Sequence, residues 1–214
     1  MNSIGSPDIR TVLCLGAHAD DIEIGCGGTI LKMLLSNPEI KFHWVVFSAD
    51  GHRRQEALES VRSLTESDRV EIETHSYTDA YFPSQWKNLK REFSRLRRRV
   101  KPDLIFTHRR EDRHQDHSTI SNLTWNAFRN HLIFEYEIPK YEGDLGQPNV
   151  FVPLDEELMQ LKCRWVIDAF KTQADKHWFD EETMKSILRL RGIESGRNGR
   201  YAEAFYCRKL SISF

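Results

Sequence analysis

Four short β-type runs, TVLCLG (11–16), KFHWVVFSA (41–49), RVEIETHSY (69–77) and DLIFTH (103–108), alternate with segments of helical periodicity. That alternation leaves few folds open. Strand–helix–strand units connect by right-handed crossovers and build a mostly parallel sheet covered by helices on both faces. Residues 29–35 (TILKMLL) read as a helix starting behind Gly27-Gly28. In 54–66, Ala57, Leu58, Val61 and Leu64 share one helical face; in 84–100, Leu89, Phe93, Leu96 and Val100 do, with Ser84 as N-cap. Further helices are expected at 118–131, 155–173 and 180–191, an extended piece at 132–138 and a last strand at 201–210. Residues 139–153, rich in Pro and Gly, are expected to form a loop that overhangs a site. With no linker visible, the expectation is one domain over 1–214, a Rossmann-like three-layer α/β/α fold.

Charge and composition narrow the function. Lys and Arg number 31 against 32 Asp and Glu, which removes the electrostatic case for general nucleic-acid binding. No apolar stretch approaches the roughly 20 residues of a membrane span. The segment MNSIGSPDIR lacks the positive-then-apolar order of a signal peptide. Cys14, Cys26, Cys163 and Cys207 are widely spaced without a C-x-x-C, which reads as reduced thiols in a soluble, cytoplasmic chain. Helix 84–100 carries Lys87, Lys90, Arg91, Arg95, Arg97, Arg98 and Arg99. These read as a solvated face, with a patch for an anionic partner as the other reading.

Two loops carry the chemistry, each at the carboxyl end of an expected strand, the edge where doubly wound sheets bind ligands. The first reads Ala17-His18-Ala19-Asp20-Asp21-Ile22-Glu23, then Gly25-Cys26-Gly27-Gly28; the second Thr107-His108, then Asp112-Arg113-His114-Gln115-Asp116-His117. Imidazoles and carboxylates suit a divalent metal of intermediate softness, above all Zn²⁺. A catalytic zinc takes three protein ligands and leaves a position open. An H-x-x-D loop can supply two of them and a His of the other loop the third. Either loop alone reads as a turn or a helix cap; together they favour a metal. The glycines do not make a dinucleotide loop, because G-x-G-x-x-G is absent and Asp20 and Asp21 would repel a pyrophosphate. Gly27 and Gly28 are instead read as close packing of helix on sheet, and Cys26 as a small buried residue.

The first loop resembles the A-H-P-D-D-x-E-x-G-x-G-G signature of the PIG-L/LmbE-like zinc-dependent N-deacetylases, and the second resembles that family's T-H-…-D-x-H-x-D-H signature. Weaker similarity extends to Arg53-x-x-Glu56-Ala57 and to Ala202-Glu203-Ala204-Phe205, so nearly the whole chain is covered. The resemblance implies an LmbE-like fold with one Zn²⁺ per chain, held by His18, Asp21 and His117. It implies Asp20 as general base and His114 as the group that stabilises the oxyanion or protonates the leaving amine. Asp116 would orient His114, a structural hydrogen bond within the loop being the alternative. Arg53 and Asp79 match positions that contact substrate. Ala19 stands where the family has Pro, which leaves the loop less preorganised without removing a ligand.

The implied reaction is removal of the acetyl group from an N-acetylated amino sugar, an N-acetylglucosamine-type conjugate, releasing acetate and free amine. Two other classes compete. A metal-dependent phosphoesterase needs a second metal with bridging carboxylates, for which only Glu23, expected to turn into its loop, and Asp112 remain. A catalytically silent sugar-binding module is the third. His108 reads as a loop-orienting residue rather than a fourth ligand; Arg109 and Arg110 are either solvated or meet a phosphate. His43 and His75 are expected on strand faces, and His52, His131 and His177 at surface or cap positions. Specificity is expected in loops 139–153 and 192–200; there Arg197 and Arg200 could, with Arg53, favour an acidic or phosphorylated aglycone, although two surface arginines in a Gly-containing loop are the commoner outcome. The expected partner is a small acetylated sugar. The resemblance allows a homo-oligomer without specifying one.

Overall fold

The computed structural model describes residues 8–64, 68–196 and 199–211. Strands β1 (Thr11–His18) and β2 (Lys41–Ser48) flank helix α1 (Asp21–Ser36), and helix α2 (Gly51–Leu64) leads to β3 (Val70–Thr74). A 3₁₀ turn (Phe82–Gln85) then enters α3 (Trp86–Arg99), followed by β4 (Leu104–His108), α4 (Gln115–Ala127) and β5 (Leu132–Tyr136). The remainder is β6 (Val150–Leu154), α5 (Glu156–Ala169), a 3₁₀ turn (Lys171–Gln173), α6 (Glu181–Glu194) and β7 (Tyr201–Tyr206). The seven strands form one sheet in the order β3-β2-β1-β4-β5-β7-β6. Every pairing is parallel except those of β7, which runs antiparallel to both β5 and β6. This is the three-layer fold the alternation implied.

Burial on both faces explains why β1 is apolar at successive positions. Val12 and Cys14 join the cluster under α1 and α5; Leu13, Leu15 and Ala17 join the opposite cluster with Leu89, Phe93 and Leu96 of α3 and Ile120 and Leu123 of α4. Each such buried Leu or Phe contributes about 1.5–3 kcal/mol. The cationic side chains Lys87, Arg91, Arg95, Arg97, Arg98 and Arg99 of α3 are exposed, opposite that stripe. Among the described residues no helix is long and apolar enough to cross a membrane.

Several boundaries differ from expectation, each for a local reason. Helix α1 starts at Asp21, not 29, and runs through Gly25, Gly27 and Gly28. A helix-interior glycine costs up to about 1 kcal/mol, and here it permits contact that a side chain would block. A Cβ on Gly25 would stand 2.2 Å from Tyr136, and one on Gly28 2.5 Å from Leu154. The close packing was anticipated, but it occurs inside the helix. The Glu203 carboxylate of β7 also accepts the N–H groups of Gly28 and Thr29 at 2.8 and 2.6 Å. Lys162 of α5 donates to Ile24 O at 2.7 Å and pairs with Glu203 at 2.5 Å.

Ser84 does not cap α3; it lies in the 3₁₀ turn and donates to Tyr81 O at 2.8 Å. Helix α4 covers 115–127 rather than 118–131, because the His114 ring caps its start. The end of the 139–153 loop is strand β6, where Pro153 is tolerated at the sheet edge. Helix α5 stops at Ala169, short of 173, and β7 ends at Tyr206, short of 210.

The chain adds strands from β1 to β3 in one direction, then returns to build β4 and β5 on the other side of β1. At such a reversal the loops after neighbouring strands diverge and leave a crevice at their carboxyl ends. β1 and β4 are hydrogen-bonded neighbours, with Cys14 opposite Phe106. The two His/Asp loops therefore emerge side by side.

Candidate active site

His18 ends β1, Asp21 opens α1, and His117 sits in the first turn of α4. Nδ1 of His18 lies 3.1 Å from Nε2 of His117. The Asp21 carboxylate is 3.4 Å from each of these nitrogens, through Oδ2 and Oδ1 respectively. Metal–ligand bonds of about 2.0–2.1 Å in a tetrahedral site place neighbouring ligand atoms about 3.3 Å apart, so the triangle has the size such an ion needs.

The outward ring nitrogens supply a second test. Nε2 of His18 lies 2.9 Å from Asp79 Oδ1, and Nδ1 of His117 lies 3.0 Å from Asp112 Oδ2. A carboxylate that accepts the outer N–H lets the inward nitrogen turn its lone pair to a metal, as in carboxylate–histidine–metal sites. Burial opposes charge here, but Asp21 and the outer carboxylates raise the pKa of His18 and His117, so the cluster favours positive charge at its centre, a proton or a metal ion. The donor set fits a divalent ion such as Zn²⁺. His114 with His18 and His117, and His108 with Asp21 and His117, also stand close enough to hold an ion, but His114 and His108 each make a backbone hydrogen bond. Nε2 of His108 accepts the N–H of Ala17 at 3.0 Å, and Nδ1 of His114 accepts that of Asp116 at 3.3 Å. Burial, then the neighbouring His117, pushes the pKa of His108 down to about 4, so it is neutral. Its ring stacks on His117 at 3.9 Å, which supports that imidazole.

A pocket of about 370 Å³ opens above the triangle, with Asp20 and His114 in its floor and Lys140, Tyr141 and Trp178 among its walls. Asp20 is buried, and its Oδ1 accepts Arg53 Nη2 at 2.6 Å. Burial, then His117 and His18, holds His114 below its ordinary pKa. With Nδ1 accepting a backbone N–H, the remaining proton sits on Nε2.

Residues 13–128, more than half of the chain and containing both loops, match the family PIG-L: GlcNAc-PI de-N-acetylase. The chain belongs to the PIG-L family. Solved structures share the fold at low identity. N,N′-diacetylchitobiose deacetylase from Pyrococcus horikoshii superposes with a TM-score of 0.69 at 23% identity, covering 94% of this chain and 84% of that one. A zinc-inhibited form of teicoplanin deacetylase gives 0.71 at 15%, covering 92% and 97%. The 4-carboxy-2-hydroxymuconate hydratase from Pseudomonas putida gives 0.72 at 18%, covering 96% and 98%.

Within this PIG-L chain some expected residues contact other groups. The Asp116 carboxylate does not reach the His114 ring; it accepts the N–H groups of Ala80 and Phe82 at 2.7 and 3.0 Å. It thereby holds a turn in which Ala80 adopts φ +65°, a conformation costly for a residue with a Cβ. That turn presents Asp79 to His18, so Asp79 lines the pocket and also holds the His18 ring. Arg53 lines the pocket but its guanidinium is occupied by Asp20, Glu56 and Thr172. Glu23 faces α2 rather than its own loop and accepts Ser60 Oγ at 2.6 Å. Arg200 lies beside Glu156 and over Tyr201, outside the pocket lining, and Arg197 falls outside the described residues. Arg109 stacks on Tyr206 at 4.6 Å and Arg110 is exposed. His43 and His75 lie beside Glu71 and Glu73, while His52 and His177 are exposed.

Sequence reasoning undervalued Asp112. It stood only as a spare carboxylate, yet it is buried against His117; its place at the head of D-x-H-x-D-H was the available signal.

Proposed function

We propose that this chain is a zinc-dependent N-deacetylase that hydrolyses the acetamido group of an N-acetylglucosamine-type conjugate. The observation that carries the reading is the His18–Asp21–His117 triangle with a free carboxylate oxygen beside it, in a chain of a de-N-acetylase family. A divalent ion held by these residues supplies Lewis acidity, polarising the amide carbonyl and making water easier to deprotonate. Asp20 has its Oδ1 fixed by Arg53, while Oδ2 has no protein hydrogen bond among the described residues and can take a proton from the attacking water. His114 presents its Nε2–H to the oxyanion that develops on the carbonyl oxygen. The amide nitrogen then receives the proton held by Asp20, the C–N bond breaks, and acetate and the free amine leave.

The competing phosphoesterase has lost its spare ligands. Glu23 points to Ser60 on α2, away from the triangle, and Asp112 is held by His117 and Lys140. The hydratase likeness shows that this scaffold also serves an enzyme of another reaction class, so the test must read hydrolysis itself. Acetate release from a panel of N-acetylated sugars is measured with one equivalent of Zn²⁺, alongside bound metal, for wild type, His18→Ala and Asp20→Asn. Deacetylation is expected for wild type, loss of bound zinc for His18→Ala, and retained zinc with little turnover for Asp20→Asn. Full turnover by Asp20→Asn would remove the base, and zinc retained in His18→Ala would remove the ligand set.

A further inference from the structure

Lys140 lines the pocket, yet its ammonium faces away from any substrate. Nζ donates to Asp112 Oδ2 at 2.9 Å and to Asp144 Oδ1 and Oδ2 at 2.7 and 2.8 Å, with Ile138 O at 3.4 Å. An ammonium has three N–H donors, so none remains for a ligand. Its two carboxylate partners belong to different parts of the site. Asp112 accepts from His117 Nδ1 and, at 2.8 Å, from the N–H of His114. Asp144 lies in the segment 137–149 that walls the pocket with Tyr141 and Glu142, and it accepts the Arg113 N–H at 2.7 Å.

We infer that Lys140 is a positioning residue that couples this pocket wall to the ligand His117. The inference rests on the reading of His117 as a metal ligand. The side chains of Lys140, Asp112 and Asp144 are 7%, 2% and 7% exposed. Without the ammonium, two buried carboxylates would share one space with no cation between them. Their repulsion is relieved only if Asp112 turns from His117 or the wall swings out. A ligand whose outer hydrogen bond is lost binds metal about 10–100-fold more weakly. Coupling of this kind is reciprocal: an ion that fixes His117 also fixes the wall, and a seated wall tightens the ion.

The test uses zinc affinity by chelator competition together with hydrogen exchange of residues 139–149, with and without zinc. In wild type, zinc is expected to slow exchange of that segment. Lys140→Met is expected to bind zinc at least about tenfold more weakly and to lose the zinc-dependent slowing; Lys140→Arg, which can bridge both carboxylates, restores most of each. Wild-type affinity in Lys140→Met, or an equal exchange response, overturns the coupling while leaving the ligand reading intact. Failure of wild type to bind zinc, or equal binding by His117→Ala, removes the ligand reading and the coupling together. Should Lys140→Met not fold, Asp144→Asn takes its place: the zinc-dependent slowing is expected to vanish, and its persistence overturns the proposal.

Discussion

Nη2 of Arg53 donates to Oδ1 of Asp20 at 2.6 Å, so the arginine holds the carboxylate proposed to receive the proton. Its other amino group reaches Thr172 and Glu56, which fixes the guanidinium from behind. Arg53→Ala is therefore expected to lower kcat by about 100-fold, with KM changing much less. Arg53→Lys should recover only part of the loss, because an ammonium lacks the planar fork. Steady-state kinetics decide the point: a raised KM with unchanged kcat would return Arg53 to the substrate.

Asp79 and Asp112 hold the imidazoles of His18 and His117 in equivalent ways but in different surroundings. The Asp79 side chain is 71% exposed and that of Asp112 is 2% exposed. Water can replace an exposed acceptor and cannot replace a buried one. Asp112→Ala is expected to weaken zinc binding by about 10–100-fold, and Asp79→Ala by no more than a few-fold. Equal losses in a chelator titration would contradict the argument.

Glu23 sets a pH dependence of stability. Burial pushes its pKa from 4.5 to about 8, and Ser60 only partly offsets this. Its Oε2 has no partner among the described residues. The folded protein holds a proton that the unfolded chain releases near pH 4.5. The stabilising contribution is thus complete below that value and is lost as pH rises through about 8. Relative to wild type, Glu23→Gln should gain about 1.4 kcal/mol per pH unit across this window. Urea unfolding of both proteins from pH 5 to 8 measures the difference, and a difference flat with pH would refute it.

The buried Lys162–Glu203 pair predicts a large effect far from the reaction. Lys162→Met leaves the Glu203 charge without its cation and should cost about 3–5 kcal/mol. Ordinary unfolding midpoints would show it, and a cost below about 1 kcal/mol would mean that the backbone N–H groups of Gly28 and Thr29 satisfy Glu203 alone.

The strands and the two His/Asp loops were legible because each is written in contiguous residues. Apolar runs mark β1, β2 and β4, and H-x-x-D places His18 and Asp21 on consecutive turns of chain. Helix α1 was misjudged because its glycines weaken a helical pattern; their reason is the approach of Tyr136 and Leu154, residues distant in sequence. The same limit hid the partners of Asp20, Glu23 and Asp112. Arg53, Ser60 and Lys140 meet them only after strands and helices have packed, and no local spacing announces such meetings. Charge alone does not fix where a side chain lies, and Arg200 stands beside Glu156, outside the pocket lining.

Glu203 reaches across 175 residues to bind Gly28. The helix that carries Asp21 is one of the first segments of the chain, yet its backbone meets that acceptor only when the last strand arrives. Contacts so distant along the chain close slowly. The site is therefore complete only with β7 in the sheet: without that strand, the residues proposed to hold the metal would be present, but the helix that carries Asp21 would lack its acceptor for Gly28 and Thr29.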